Sequence, residues 1–206
     1  MNSTNKVAWF VFAFLAIGVG LYPLLYFAID REFGLLASKS DELLANVFWN
    51  IGFYGHILFG GLALTIGWVQ FSKKMRKAYL TGHRTIGKVY VIAVLISGSC
   101  GIFIAFNATG GLVTTLGFMG LGIVWLYTTI KAYFAIRKGD LALHEGLMIY
   151  SYAACFAAVT LRIWLPLLTL TLGDFNTAYR IVAWLCWIPN IIFAFFWVRR
   201  KGLILG

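Results

Sequence analysis

Four polar side chains in this mostly apolar sequence have the chemistry to bind a cofactor or a ligand. They are the three histidines, His56, His83 and His144, together with Arg162. An imidazole can ligate haem iron or a metal ion, whereas a guanidinium recognises carboxylates and phosphates. Which of these chemistries is available depends on the elements that carry the four side chains and on how those elements bring them together.

Those elements are expected to be membrane-spanning helices. Hydrophobic residues make up 61% of the sequence and charged residues 12%, with a mean hydropathy of +0.86, so lipid must be the solvent for most side chains. Six stretches reach the roughly 20 apolar residues that cross a bilayer. They cover about residues 7–29, 47–71, 86–106, 113–136, 145–170 and 177–198. The sequence therefore predicts an all-α polytopic membrane protein, a bundle of six transmembrane helices in a single domain over residues 1–206.

The first apolar stretch is predicted to be a spanning helix. It is longer than the apolar core of a signal peptide and has no small-residue cleavage pattern nearby. Pro23 is expected to kink it, because proline lacks a backbone donor. The apolar runs are continuous and lack period-two alternation, which argues against a membrane β-barrel.

The basic residues fall on one side of the predicted bundle. That side holds Lys6, Lys73, Lys74, Arg76, Lys77, Arg84, Lys88, Lys131, Arg137, Lys138, Arg199, Arg200 and Lys201. The other side holds Arg31, Lys39 and Arg180 beside the acids Asp30, Glu32, Asp41, Glu42 and Asp174. Because lysine and arginine are retained in cytoplasmic loops, both termini are predicted to be cytoplasmic. The net charge of +10 then predicts contact with anionic membrane lipids and not with nucleic acid.

Two of the histidines are expected at the cytoplasmic end of the bundle. His83 stands at the start of the third helix and His144 at the start of the fifth, and these two helices run in the same direction. His144 and Arg162 are 18 residues apart, which is five turns at about 3.6 residues per turn, so they share a helix face with Met148. The fifth helix is thus predicted to turn a polar face inward.

His56 and Arg162 are expected to share a second level near the outer side. At a rise of about 1.5 Å per residue, both lie roughly 12–13 Å below the outer edge, on the second and fifth helices. One interpretation is a polar pocket formed by these two side chains. The alternative is an interfacial arginine that bonds only to backbone carbonyls or water.

A glycine follows two of the histidines by four residues, Gly60 after His56 and Gly87 after His83. On one interpretation, each glycine leaves room for a flat ligand on the neighbouring imidazole. On the other, the glycines let helix backbones approach each other closely.

Two stretches resemble the signature regions of a bacterial membrane family known as domain of unknown function 2306. They are "GHRTIGKVYVIAV" (82–94) and "LALHEGLMIYSYAACFAAVTLRIWLPL" (141–167). The first signature matches at His83, Arg84, Gly87, Lys88 and Tyr90, and the second at His144, Met148, Ser151, Tyr152 and Arg162. The resemblance covers roughly residues 50–170 and implies a multi-helix protein of the bacterial cytoplasmic membrane, with no established reaction. It departs at Leu147 and Tyr150, where the family commonly has tryptophan and arginine, and this lowers the charge expected at the cytoplasmic pocket.

The chain is also loosely similar to four-helix b-type cytochromes and ferric reductases, which hold haem between histidines on facing helices. With three histidines it cannot hold two bis-histidine haems. The first hypothesis is therefore an electron-transfer protein, and if an enzyme a membrane oxidoreductase, with one haem b. His83 and His144 would be its axial ligands, with Arg84 or Lys88 near the propionates. Quinone, or another redox membrane protein, would be the partner, and quinone could meet His56 and Arg162.

Three alternatives remain open from the residues. One is a binding or transport protein for an anion or a lipid headgroup, although no helix shows the paired glycine or proline breaks of many transporters. Another is a metal ion held by His83 and His144 with Glu145 or Asp140. The third is a structural subunit without a cofactor, in which the polar residues fix helix packing.

Overall fold

Six long apolar helices carry most of the chain in the computed structural model, which describes residues 3–29 and 34–203. By length and composition each can cross a membrane, which confirms the predicted six-helix membrane fold. They are α1 (Lys6–Ala28), α2 (Val47–Phe71), α3 (Leu80–Ala105), α4 (Leu112–Arg137), α5 (Leu141–Leu172) and α6 (Phe175–Arg200). The third helix begins at Leu80, six residues before the expected start at 86, so His83 lies inside its first turn.

The helices alternate in direction, and side-chain contacts mark the two ends of the bundle. At one end, here called the basic end, Lys201 after α6 donates to Glu145 of α5 over 2.7 Å. Trp9 of α1 packs there against Trp68 of α2, with ring centroids 5.8 Å apart. At the opposite end, Lys39 donates to the carbonyl of Asn107 over 2.6 Å. Asp30, Arg31 and Glu32, which the sequence places at this opposite end, lie outside the described residues.

The first helix bends at the expected place. Its α-helical part ends at Leu21, a 3-10 turn spans Tyr22–Leu24, and helix resumes over Leu25–Ala28. Pro23 occupies this turn and is buried. Because proline cannot donate a backbone hydrogen bond, the tighter turn forms where the α-helical ladder loses a donor.

The last two helices are interrupted, which the sequence did not lead us to expect. The α5 helix divides at Phe156 into Leu141–Cys155 and Ala157–Leu172, and α6 divides into Phe175–Leu185 and Ile188–Arg200. Polar side chains bind the two interruptions together. The hydroxyl of Thr160 in α5 donates to the carbonyl of Cys186 in α6, and the Asn190 amide in α6 donates to the Ala153 carbonyl in α5 over 3.3 Å. Neither glycine nor proline lies at the α5 break, so these interruptions differ from the paired glycine or proline breaks considered above.

A buried chain of hydroxyl groups ties α3, α4 and α5 together. The Thr129 hydroxyl donates to the Trp125 carbonyl over 2.7 Å, so its oxygen must accept the proton of Ser151, 2.6 Å away. Ser151 in turn accepts from Tyr90 over 2.8 Å. Each hydroxyl has one proton, so the direction of the whole chain is fixed. The Tyr90 hydroxyl therefore donates its proton to Ser151, and its oxygen can only accept further hydrogen bonds.

Candidate functional site

A cavity of about 770 Å³ opens at the basic end, between α2, α3, α4 and α5. Ligand and cofactor pockets typically have volumes of about 300–1,000 Å³, so this cavity is large enough for a cofactor. It brings together all six residues predicted to bind one, namely His83, Arg84, Gly87, Lys88, His144 and Met148. The role assigned to these residues remains a prediction, but their convergence on one cavity is a property of the fold.

The imidazole of His144 is held in a defined orientation by α4. Its Nδ1 lies 2.9 Å from the carbonyl oxygen of Ala132. A carbonyl can only accept, so Nδ1 carries the proton and donates. The neutral ring then keeps an unprotonated Nε2 with a free lone pair. This is the arrangement in which a second contact fixes the tautomer of a ligating histidine.

His83 is the second imidazole in the cavity lining, and it is partly exposed. It lies close enough to Arg76, His144 and Arg84 to interact with them electrostatically. Within the described part of the chain, its ring forms no hydrogen bond that would fix its tautomer. His83 is therefore less constrained than His144 and can turn toward a ligand.

The two glycines that follow histidines have different roles. A Cβ added at Gly87 would meet nothing within 4 Å, because Gly87 faces the open cavity. A Cβ added at Gly60 would lie 2.9 Å from the Ser97 hydroxyl. Gly87 thus leaves space one turn above His83, whereas Gly60 allows α2 and α3 to pack closely.

Positive charge surrounds the mouth of the cavity. Its cationic lining residues are Arg76, Arg84, Lys88, Arg137 and Lys201, and Glu145 is the acid among the lining residues. The Glu145 carboxylate is bound by Lys201 at 2.7 Å and lies 3.8 Å from the Arg76 guanidinium. Sequence reasoning missed Arg76 and Lys201, because a residue of the α2–α3 connection and one at the chain end meet at this mouth only after folding.

Gln70 is a further lining residue that sequence reasoning missed. Both polar atoms of its side-chain amide are buried, and neither has a hydrogen-bond partner among the described residues. Buried polar groups are nearly always paired, because an unpaired one loses its hydration without compensation. The only sequence signal for Gln70 was its amide side chain at the end of a long apolar segment. In the fold it offers a donor and an acceptor to a cavity ligand.

The acids considered as metal ligands have other roles. Asp140 caps α5 by accepting from the Leu143 amide over 3.0 Å, while Glu145 binds Lys201. Across residues 3–29 and 34–203, no three His, Cys, Asp or Glu side chains converge to hold a metal ion. The third ligand required by the metal hypothesis is therefore not supplied by this part of the chain.

His56 and Arg162 lie toward the opposite end of the bundle. The Nδ1 of His56 is 3.0 Å from the Ser97 carbonyl, and the ring packs on the glycine face of α3 at Gly101. Arg162 donates to the Ala158 carbonyl over 2.9 Å and lies over the Tyr22 ring, 4.4 Å from its centroid. The two residues are within electrostatic reach of each other.

The two departures from the family signature do not affect the cavity. Neither Leu147 nor Tyr150 is among its lining residues. Leu147 is buried in the bundle, and Tyr150 packs beside Ile149, Ala194 and Val198. The expectation that these two positions would lower the charge of the pocket is therefore wrong, because they lie on other faces of α5.

A family described as predicted membrane protein (DUF2306) matches residues 53–198. The chain belongs to this family. The DUF2306 match confirms the predicted membership, and it includes His56, His83, His144 and Arg162. No curated protein and no solved structure matches the chain. The DUF2306 assignment thus supports an integral membrane protein, and the function has to be argued from the site itself.

Proposed function

We propose that this protein is a membrane electron-transfer protein that binds one haem b in the basic-end cavity. The observation that carries the proposal is the orientation of His144. Its Nδ1 is engaged by the Ala132 carbonyl at 2.9 Å, so its Nε2 lone pair is available to iron. Haem, when bound, supplies a one-electron iron couple whose potential depends on its ligands and surroundings.

The cavity offers partners for each part of a haem. His83 and His144 would hold the haem iron, since both imidazoles line the same space. Gly87 leaves room for the macrocycle, and Met148 contributes apolar wall. Arg84 and Lys88 are exposed at the mouth, where their charges would bind the propionates. The Gln70 amide would provide a further hydrogen bond.

The proposal includes the orientation and location of the protein. The cavity lies at the end where the basic residues cluster, and the positive-inside rule puts this end in the cytoplasm, with both termini. The protein would then act in the bacterial cytoplasmic membrane. Its electron partner would be quinone or another membrane redox protein.

A second candidate is a non-redox protein that binds an anionic amphiphile. The observation that favours it is the excess of cations at the cavity mouth, five against the single acid Glu145 among the lining residues. An apolar chain could occupy the cavity while a phosphate or carboxylate contacts the cations. The paired interruptions in α5 and α6 are compatible with transport of such a ligand.

Optical spectra of purified protein distinguish the two candidates. The protein should be expressed with a haem precursor supplied, and spectra recorded before and after dithionite. We expect a Soret band that shifts on reduction, is lost or strongly altered in His83→Ala and His144→Ala, and is retained in the control His56→Ala. A colourless wild-type protein would contradict haem binding, and unchanged spectra in both cavity variants would contradict haem binding by His83 and His144. Co-purified phospholipid that is lost in Arg84→Gln would then support the second candidate.

A further inference from the structure

We infer that a second ligand site lies between His56 and Arg162, toward the end opposite the cavity, and that it takes the hydroxyl group of a quinol. The site is separate from the basic-end cavity, whose lining includes neither residue. The inference goes beyond haem binding. It rests on the proposed function for the choice of a quinone-type partner, and on the hydrogen-bond directions at these two side chains for how that partner is bound.

The tautomer of His56 follows from its contacts with Ser97. The Ser97 hydroxyl donates its one proton to the His56 carbonyl over 2.8 Å. It therefore has no proton left for the imidazole. The Nδ1 of His56 lies 3.0 Å from the Ser97 carbonyl, which can only accept, so Nδ1 must be the donor. The neutral ring thus presents an unprotonated Nε2, which can only accept a hydrogen bond.

Arg162 offers the opposite kind of group. One terminal nitrogen donates to the Ala158 carbonyl, and the planar group lies over the Tyr22 ring. Its Nε is buried and has no hydrogen-bond partner in residues 3–29 and 34–203. A guanidinium keeps its charge and all of its N–H groups, so it can only donate. An unpaired buried donor of this kind indicates that a ligand oxygen can be bound there.

The pair therefore selects a ligand group that both donates and accepts. His56 and Arg162 interact electrostatically, but no hydrogen bond joins them in the described structure. A phosphodiester, an ionised carboxylate or the carbonyl of a quinone only accepts, so it would bind Arg162 and leave His56 without a donor. A quinol hydroxyl donates to His56 through its proton and accepts from Arg162 through its oxygen.

Access to the site favours a lipid-soluble ligand. His56, Gly101 and Arg162 all keep some exposure, and they lie within helices able to span a membrane. The His56 ring lies against α3 at this level, since a Cβ at Gly101 would lie 2.8 Å from the ring. A quinol reaches such a site from the bilayer, whereas a strongly hydrated anion would first have to lose its water.

Calorimetric titration of the purified full-length protein with a short-chain quinol and its quinone tests the inference. We expect the quinol to bind at least about tenfold more tightly, because only the quinol can donate to His56. Arg162→Gln and His56→Phe should each weaken quinol binding by about tenfold or more. Arg180→Gln is the matched arginine control, since Arg180 donates to the Gly110 carbonyl in a loop contact. If Arg162→Gln does not fold, Arg162→Lys tests the Nε donor instead, because lysine keeps the positive charge but lacks that N–H group.

The inference would be overturned by absence of quinol binding, by equal binding of quinol and quinone, or by unchanged binding in folded Arg162 and His56 variants. Loss of quinol binding in His83→Ala would place the ligand in the basic-end cavity and also overturn it. Competition by a medium-chain fatty acid at equal affinity would show that the site is not selective for a quinol. The titration does not depend on haem, so its failure is distinguishable from a failure of haem binding, which the optical spectra test separately.

Discussion

The Nδ1 atom of His144 lies 2.9 Å from the carbonyl oxygen of Ala132, and this contact fixes the chemistry of the basic-end cavity. Ala132 is fully buried in α4, so its carbonyl is a rigid acceptor. The packing of α4 against α5 thus decides which nitrogen of His144 carries the proton. The other nitrogen is left as a potential ligand without any further rearrangement.

The space above His83 should control haem binding. Gly87→Phe should obstruct the space beside His83 and strongly reduce uptake of haemin. Gly87→Ala should bind haemin and fold normally, since alanine favours a helix by about 1 kcal/mol over glycine. Haemin titration followed at the Soret band measures both. Gly117→Ala is a packing control, because its Cβ would lie 2.8 Å from the Ala183 carbonyl and should lower stability without changing the cavity. Equal haemin uptake by Gly87→Phe and wild type would contradict the placement.

Glu145 should limit the rate at which an anionic ligand enters the cavity. Glu145→Gln removes the carboxylate that engages Lys201 and Arg76, so the mouth becomes more positive. We expect faster haemin association at low salt, an effect that high salt removes, and a stability change of only about 0.2–1 kcal/mol. Stopped-flow mixing measures the rate. Asp140→Asn is the matched control outside the cavity lining, and identical rates for the two variants would show that Glu145 has no special role.

Tyr90 should contribute to stability through the buried hydroxyl chain. Tyr90→Phe removes the proton given to Ser151 and the oxygen that accepts from Trp125, so the unfolding free energy should fall by about 1 kcal/mol. Unfolding of the purified protein in mixed detergent measures the change. Tyr133→Phe is the control, because Tyr133 lines the cavity and its hydroxyl has no hydrogen bond in the described part of the chain. Equal stability of Tyr90→Phe and Tyr133→Phe would contradict a stabilising role for the buried hydroxyl groups.

Lys39, which lies at the end of the bundle opposite the cavity, should make the stability of the protein depend on pH. Burial lowers the pKa of Lys39 to about 8 from its ordinary 10.5, while the unfolded chain holds this proton up to the higher value. Between these two values the unfolded state binds more protons, so stability should rise with pH. We expect the stability of the wild type relative to Lys39→Met to increase from about pH 8 to about pH 10.5. Thermal unfolding across this range measures it, and a difference independent of pH would contradict the burial effect.

The sequence predicted the spanning helices well because hydropathy is a property of each segment by itself. The alternating direction of those helices was enough to put His83 and His144 at one end. The interruption at Phe156 could not be predicted in this way, whereas Pro189, in the first turn after the interruption of α6, was a signal for a break in that helix. The proline inside α5 is Pro166, ten residues past the break, and the helix continues through it.

The rest of the site depends on contacts between distant segments. Gln70 and Lys201 contribute to the cavity only because α2 and the end of α6 meet α5 at the basic end. The different roles of Gly60 and Gly87 likewise depend on what lies opposite each residue. A pattern of histidine followed by glycine contains no information about that partner surface.

The haem content of the purified wild-type protein tests the central claim most directly. The protein should be produced with haem supplied in excess, washed free of unbound pigment, and assayed for haem and for polypeptide in the same sample. The proposed function predicts one haem per chain, held by His83 and His144, and little or none when both are replaced by alanine. Wild-type protein that is folded yet retains no haem, or a double variant that retains as much as the wild type, would contradict it.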